Sequence, residues 1–395
     1  MTWCAVALVA LLACGDDDAA TSDGGVDGGA DATSDASDAS DASTTDAPML
    51  NDLPALDELE DGWNELVPGG PTVCSRGSEF AFFVHPGTVN KLVVDFIGGG
   101  ACWSFDTCAF ATSIFSDSVE PVRDAIELGV AVGIYDRAHA ENPFADWTHV
   151  IIPYCTGDIH WGDATTSYDN GTSEITIRHR GAANARVVLD WIYDNVLSPE
   201  QVFVTGCSAG SYGSIGWSAY LMEHYTDTPI VQFGDSGAGV ITETFFRDSF
   251  PSWNAEAMLP DWLPGLDPGM VDVFELELAD VYEVIGAAYP SNVVSQYNTT
   301  FDDNQTFYYE AMGGTGGAMG WSERMQASRY RIIASTPSYR AFQAPGEQHC
   351  IIVQENFYEV EANGVRLVEW LRDLVAGEDV ENVICTDCDR PTPGT

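Results

Sequence analysis

The chain has 395 residues, 45% of them hydrophobic and 11% aromatic, enough to bury a large core and too apolar for a disordered chain. Its 61 acidic residues stand against 15 basic ones, for a net charge of −46, which repels phosphate backbones and anionic membranes and excludes nucleic acid as a partner. No apolar run reaches the roughly 18 residues of a membrane span, and no glycine-rich loop has phosphate- or dinucleotide-binding spacing.

Residues Trp3 to Ala13 form a short apolar run of the kind found in export signals. It ends in Leu11-Leu12-Ala13-Cys14, which resembles a bacterial lipobox with Cys14 as the lipidated residue. No Lys or Arg precedes the run, and the first basic residue is Arg76. Residues 15–52 are an acidic Asp/Ala/Ser/Gly tract with almost nothing to bury, so they predict a solvated tether. The expected organisation is a signal over 1–14, a linker over 15–52 and a catalytic domain over 53–395. The expected location is outside the cytoplasm, as a cell-surface or outer-membrane lipoprotein or a secreted protein, touching membrane only through its anchor. Beyond Cys4 and Cys14 there are eight cysteines, which in an oxidising compartment predict disulfides of open connectivity. Cys385-Thr386-Asp387-Cys388 lacks a second such pair and reads as a disulfide rather than half a zinc site.

In the folded part, short β-branched or aromatic runs predict strands over 80–84, 91–97, 149–153, 201–205, 230–233 and 331–335, with 293–301 as a strand and loop. Helical periodicity predicts helices over 174–196, 211–225 and 365–375. Strands alternating with helices give an α/β fold, a mostly parallel sheet with helices on both faces. Residues 251–269, rich in Pro, Trp and Gly, read as an inserted loop.

The strand over 201–205 leads into Gly206-Cys207-Ser208-Ala209-Gly210 and then a helix. This is Gly-x-Ser-x-Gly in strand–turn–helix context, which lifts Ser208 to the sheet rim as a candidate nucleophile. A serine hydroxyl needs a base, and in this chain order the base follows it. Only His224 and His349 do, and His224 lies far down the helix that the serine opens. His349, on a loop after a late strand, is the candidate base. Candidate acids are Asp235, Asp280, Asp302 and Asp303; Asp235 reads as a support for adjoining loops, and the residues alone do not separate Asp302 from Asp303. Gly98-Gly99-Gly100-Ala101-Cys102-Trp103 after the strand over 91–97 is where a second oxyanion donor arises. No His/Asp/Glu cluster has catalytic-metal spacing, so neither metal nor cofactor is expected.

Gly98-Gly99-Gly100-x-Cys102, Tyr154-Cys155-x-Gly157-Asp158, Gly206-Cys207-Ser208-Ala209-Gly210, Asp302-x-x-Gln305 and His349-Cys350 together resemble the pectinacetylesterase family, which includes plant pectin acetylesterases and the lipid deacylase Notum. The resemblance implies an α/β-hydrolase-like fold and a cofactor-free Ser208-His349-Asp302 triad. It places Asp302, not Asp303, in the acid position, and the oxyanion donors at the backbone of Gly100, Ala101 and Ala209. The family carries Trp where this chain has Ala101, with Trp103 as the neighbouring substitute; Trp103 and Trp161 are the expected substrate contacts. The implied activity is removal of acyl groups, acetyl first among them, from a polysaccharide or small ester by a monomer. Removal of a long acyl chain, and a non-catalytic surface-binding role, are the alternatives.

Overall fold

The computed structural model describes residues 49–110, 114–386 and 388; the signal, Cys14 and most of the linker lie outside them. Near the start of the described residues, Leu50 bridges to Gly69. Its strands are β1 (Asn64–Leu66), β2 (Phe82–His85), β3 (Lys91–Phe96), β4 (Thr148–Ile152), β5 (Ala164–Asp169), β6 (Glu174–His179), β7 (Gln201–Cys207), β8 (Ile230–Asp235), β9 (Val293–Thr299), β10 (Tyr339–Ala344), β11 (Glu361–Ala362), β12 (Val365–Arg366) and β13 (Val383–Ile384). The main sheet runs β1-β2-β4-β3-β7-β8-β9-β10-β13. It is parallel from β4 to β13, while β1 and β2 pair antiparallel at one edge.

The longer helices that matter below are α1 (Gly181–Asn195), α2 (Ala209–His224), α3 (Leu278–Ala288), α4 (Asp303–Ala311), α5 (Gly317–Ser335) and α6 (Leu367–Val375). Successive strand residues point to opposite faces, and the core divides accordingly. Val202 and Val204 of β7 join a layer with α1, α2 and α3, while Phe203 and Cys207 join the layer under α6. In α6, Leu367, Val368, Trp370, Leu371, Leu374 and Val375 are buried, a helical stripe seated on Phe233 and Phe342. Both faces of β7 and β8 are covered, so every residue in them is buried.

Two expectations are corrected. Residues 331–335 are the last turn of α5, whose buried positions Trp321, Ser322, Met325, Arg329 and Ile332 follow a helical period; the strand before His349 is β10. The expected helix over 174–196 starts only at Gly181: Glu174–His179 pairs with β5 as a hairpin, because Ile175, Thr176 and Ile177 favour the extended chain. The segment after residue 250 is built of short 3-10 turns at Phe250–Trp253, Ala255–Met258 and Val273–Glu275. Disulfides join Cys74–Cys155, Cys102–Cys108, Cys207–Cys350 and Cys385–Cys388. Among the described residues, no helix is long and apolar enough to cross a membrane.

Candidate active site

The turn between β7 and α2 is forced by contact. A Cβ on Gly206 would strike the Gly210 carbonyl, and one on Gly210 would strike the Phe96 carbonyl of β3, so only glycine fits at either place. Between them Ser208 adopts φ 57° and ψ −121°, a conformation rare outside glycine. Its N–H donates to the Asp235 carbonyl at 2.8 Å, and its own carbonyl accepts the Ser211 N–H at 2.9 Å. Ser208 is thereby the N-cap residue of α2, and Ala209 is the first helical residue.

The His349 turn follows β10. A carboxylate only accepts, so the His349 Nδ1–H donates to Asp302, 2.8 Å from Oδ2 and 3.0 Å from Oδ1. That leaves Nε2 as a bare acceptor, and it is buried without a hydrogen-bond partner among the described residues. Burial by itself would lower the imidazole pKa; the Asp302 carboxylate, with Asp235 behind it, outweighs burial and raises it above the usual value.

Asp302 is fully buried at the N-cap of α4. Beyond His349 it accepts the Gln305 N–H at 2.8 Å and the Gln305 amide at 3.0 Å. Gln305 is itself anchored, its Oε1 accepting the Ala238 N–H at 2.7 Å and its Nε2 donating to Asn298 at 3.0 Å. The neighbouring Asp303 is exposed, as the first residue of α4. Asp280 faces outward on α3 and pairs with Arg331. Asp235 is buried and accepts backbone N–H groups of Ile351 and Ile352. His224 ends α2 with its ring stacked on Tyr193 at 3.8 Å.

Ser208, Ala209, Gly100, Ala101 and His349 line one cavity of about 70 Å³, whose far walls are Trp103, Tyr212, Phe245, Phe250, Trp253 and Trp321. Among the described residues no carboxylate, Lys or Arg lines it. Trp161 is elsewhere: it lines an adjoining apolar cavity of about 20 Å³, its indole N–H held by the Tyr212 carbonyl at 2.9 Å. Of the two expected substrate contacts, Trp103 lines the cavity with Ser208 and Trp161 lines the adjoining one, the two cavities sharing Ile159, Tyr212, Ile241 and Phe250 as walls. Sequence reasoning did not pick out Tyr308, whose hydroxyl donates to the Ile114 carbonyl and whose phenol burial pushes up to about 12, the Ala101 backbone pulling it back. Nor did it pick out Ser236; the Gly-Asp-Ser-Gly that ends β8 was its one signal. The walls Phe245, Phe250 and Trp253 carry no signal, since nothing in an irregular segment tells which ring turns inward. Two cysteine-containing clusters, Cys102/Cys108/His179 and Cys207/Asp235/Cys350, have metal-like spacing, but in both the sulfurs are joined as disulfides.

The sheet and the strained serine turn define an α/β-hydrolase-fold protein. Residues 68–250 match the pectinacetylesterase family model. Pectin acetylesterase 4 of Arabidopsis thaliana is 22% identical over 173 residues, 42% of this chain and 41% of that one. Pectin acetylesterase 5 of the same plant is 27% identical over 158 residues, 38% and 35% of the two chains. The chain thus aligns with less than half the length of these relatives. Two solved structures of the Wnt deacylase Notum from Drosophila share the fold, with TM-scores of 0.54 and 0.55, identities of 16% and 17%, and coverage of 81% of this chain and 96% and 97% of theirs. Over residues 68–250 the chain is similar to the pectinacetylesterase family. The family match takes in the glycine loop and Ser208; Asp302 and His349 lie beyond it.

Proposed function

We propose that the chain is a serine carboxylic-ester hydrolase working by acyl transfer through Ser208, His349 and Asp302. The observation that carries this is the imidazole itself: Nδ1 is held by a buried carboxylate, and Nε2 is left unpaired on the cavity that Ser208 lines. His349 Nε2 takes the Ser208 proton as Oγ attacks the ester carbonyl. Backbone N–H groups of Gly100, Ala101 and Ala209 receive the oxyanion, a donor set in which each member contributes about 3 kcal/mol at the transition state. The proton passes to the departing alcohol, and water, activated by the same Nε2, frees the acid.

The cavity favours an apolar acyl group on an uncharged ester. Its walls are largely aromatic and, among the described residues, offer no Lys or Arg to a sugar carboxylate, and the residues after Ser75 hold 45 acids against 15 bases, which repels an anionic polymer. The plant relatives' name supports acetyl esters of a polysaccharide as a second reading. Labelling by a fluorophosphonate tests the chemistry: it should require Ser208, and equal labelling of Ser208→Ala, or none of the wild type, rejects the hydrolase. Rates on p-nitrophenyl esters of rising chain length then test the acyl preference, an optimum at acetyl favouring the second reading. The disulfides support an oxidising compartment, and lipidation at Cys14 completes the proposal as a surface-anchored enzyme.

A further inference from the structure

The turn bearing His349 is fastened to the strand beside the nucleophile by contacts that acyl transfer itself does not use. Asp235 ends β8 and is fully buried. Its Oδ2 accepts the N–H groups of Ile351 at 2.6 Å and Ile352 at 2.9 Å, and its Oδ1 accepts the Ser236 hydroxyl at 2.9 Å. The Ser236 oxygen in turn accepts the Cys350 N–H at 2.9 Å. Three consecutive N–H groups directly after His349 therefore end on this pair. The backbone of Asp235 reaches the other side, its carbonyl accepting the Ser208 N–H at 2.8 Å. Asp235 is also the register partner of Cys207, and Cys207 is covalently joined to Cys350. A hydrogen-bonded tether and a covalent one thus connect the residues flanking nucleophile and base. Ser208, Ser236 and Cys350 all hold positive φ, at 57°, 56° and 58°, conformations that persist where the surroundings over-determine them.

Backbone N–H groups can be satisfied by any neutral acceptor, whereas a buried carboxylate is costly to keep. Among the described residues no Lys or Arg pairs with Asp235. The groups facing it are His349, from the turn after β10, and the Tyr297 phenol of β9; Asp302, from the β9–α4 junction, faces the same imidazole. Burial pushes the Asp235 carboxyl up to about 6, and the Ile352 and Ile351 N–H groups, the Ser236 hydroxyl and His349 draw it down.

We propose that Asp235 is a positioning residue for acyl transfer: it holds the His349 turn at fixed reach from Ser208 and adds a second negative charge behind the imidazolium formed when His349 takes the serine proton. Asp235 itself exchanges no proton in the cycle; the proton moves from Ser208 Oγ to Nε2 and on to the leaving alcohol. This rests on the assignment of Ser208 and His349 above.

The test is kinetics of Asp235→Asn and Ser236→Ala on a neutral p-nitrophenyl ester across pH, with folding followed by circular dichroism. Asp235→Asn should lower kcat by roughly tenfold to a hundredfold with KM nearly unchanged. It should also shift the rising limb of the pH profile to lower pH, since a charge that raises the imidazole pKa is gone. Ser236→Ala keeps the charge, so it should lower kcat and leave the limb in place. A folded Asp235→Asn enzyme with reduced stability but wild-type kcat and limb overturns the proposal and leaves Asp235 a merely structural support. If that variant does not fold, Ser236→Ala decides: a lowered kcat at constant KM supports the proposal, and an unchanged kcat overturns it. Failure of the underlying assignment is distinguishable, because the wild type would then resist the fluorophosphonate at Ser208.

Discussion

Three donors converge on the Asp302 carboxylate: the His349 ring, the Gln305 N–H and the Gln305 amide. An amide in place of the carboxylate presents its own N–H to one of them, so the imidazole loses both its tautomer and its counter-charge. Asp302→Asn should therefore cut kcat by roughly four orders of magnitude with little change in KM, while Asp303→Asn, altering an exposed side chain, should be near wild type; the two measured side by side check the register. The pH dependence follows from the same contact. The folded-state pKa of His349 lies above 6.5, and the base acts only when neutral. Activity should be absent well below that pKa and rise through a single ionisation above pH 6.5. A limb centred below 6.5 on a neutral ester contradicts it.

Elements meet at the serine turn with no spare volume. Alanine in place of glycine in a helix is ordinarily worth up to about 1 kcal/mol in its favour, but at Gly210 the added methyl strikes the Phe96 carbonyl. Overpacking costs about 1–3 kcal/mol, so the clash wins: Gly210→Ala should lower the urea midpoint and abolish labelling of Ser208. On the opposite side, Ile241 lines both the 70 Å³ and the 20 Å³ cavities. Ile241→Ala should join them and move the chain-length optimum toward longer acyl groups. An unchanged optimum in a folded variant would show that the acyl group does not run that way.

Across the molecule, Cys74–Cys155 and Cys207–Cys350 tie segments far apart in the chain, while Cys102–Cys108 and Cys385–Cys388 are local. Cys74–Cys155 spans 81 residues and fastens the stretch before β2 to the loop after β4, and neither cysteine lines the Ser208 cavity among the described residues. A closed loop of that size stabilises by about 2–4 kcal/mol. Replacing both cysteines by serine should lower stability by that order in urea titration without changing kcat. Charge acts at the same scale. The acidic surface repels anions over about 10 Å at 0.1 M salt, so added salt should speed hydrolysis of an anionic ester and leave a neutral one unaffected, rates on the matched pair being the measurement.

Local chemistry was enough for the strand–turn–helix at Ser208, because a sharp turn needs glycines at 206 and 210 and those are visible one residue at a time. The parallel sheet was legible from short runs such as Val202-Phe203-Val204 in β7 and Ile230-Val231 with Phe233 in β8, apolar on both faces as strands covered on both sides are. Residues 331–335 and 174–179 were misassigned because short runs of β-branched residues suit helix and strand alike, and only packing against neighbours decides. The residues alone left Asp302 and Asp303 open and the family-like Asp302-x-x-Gln305 pattern favoured Asp302; in the structure Asp302 is buried against Gln305 and Asp303 is exposed. Two things came from the tertiary structure alone. The partners of eight cysteines depend on which loops meet over the sheet. The aromatic walls Phe245, Phe250 and Trp253 depend on the path of an irregular segment. Sequence patterns report periodicity along one element, whereas these features are set by distances between elements.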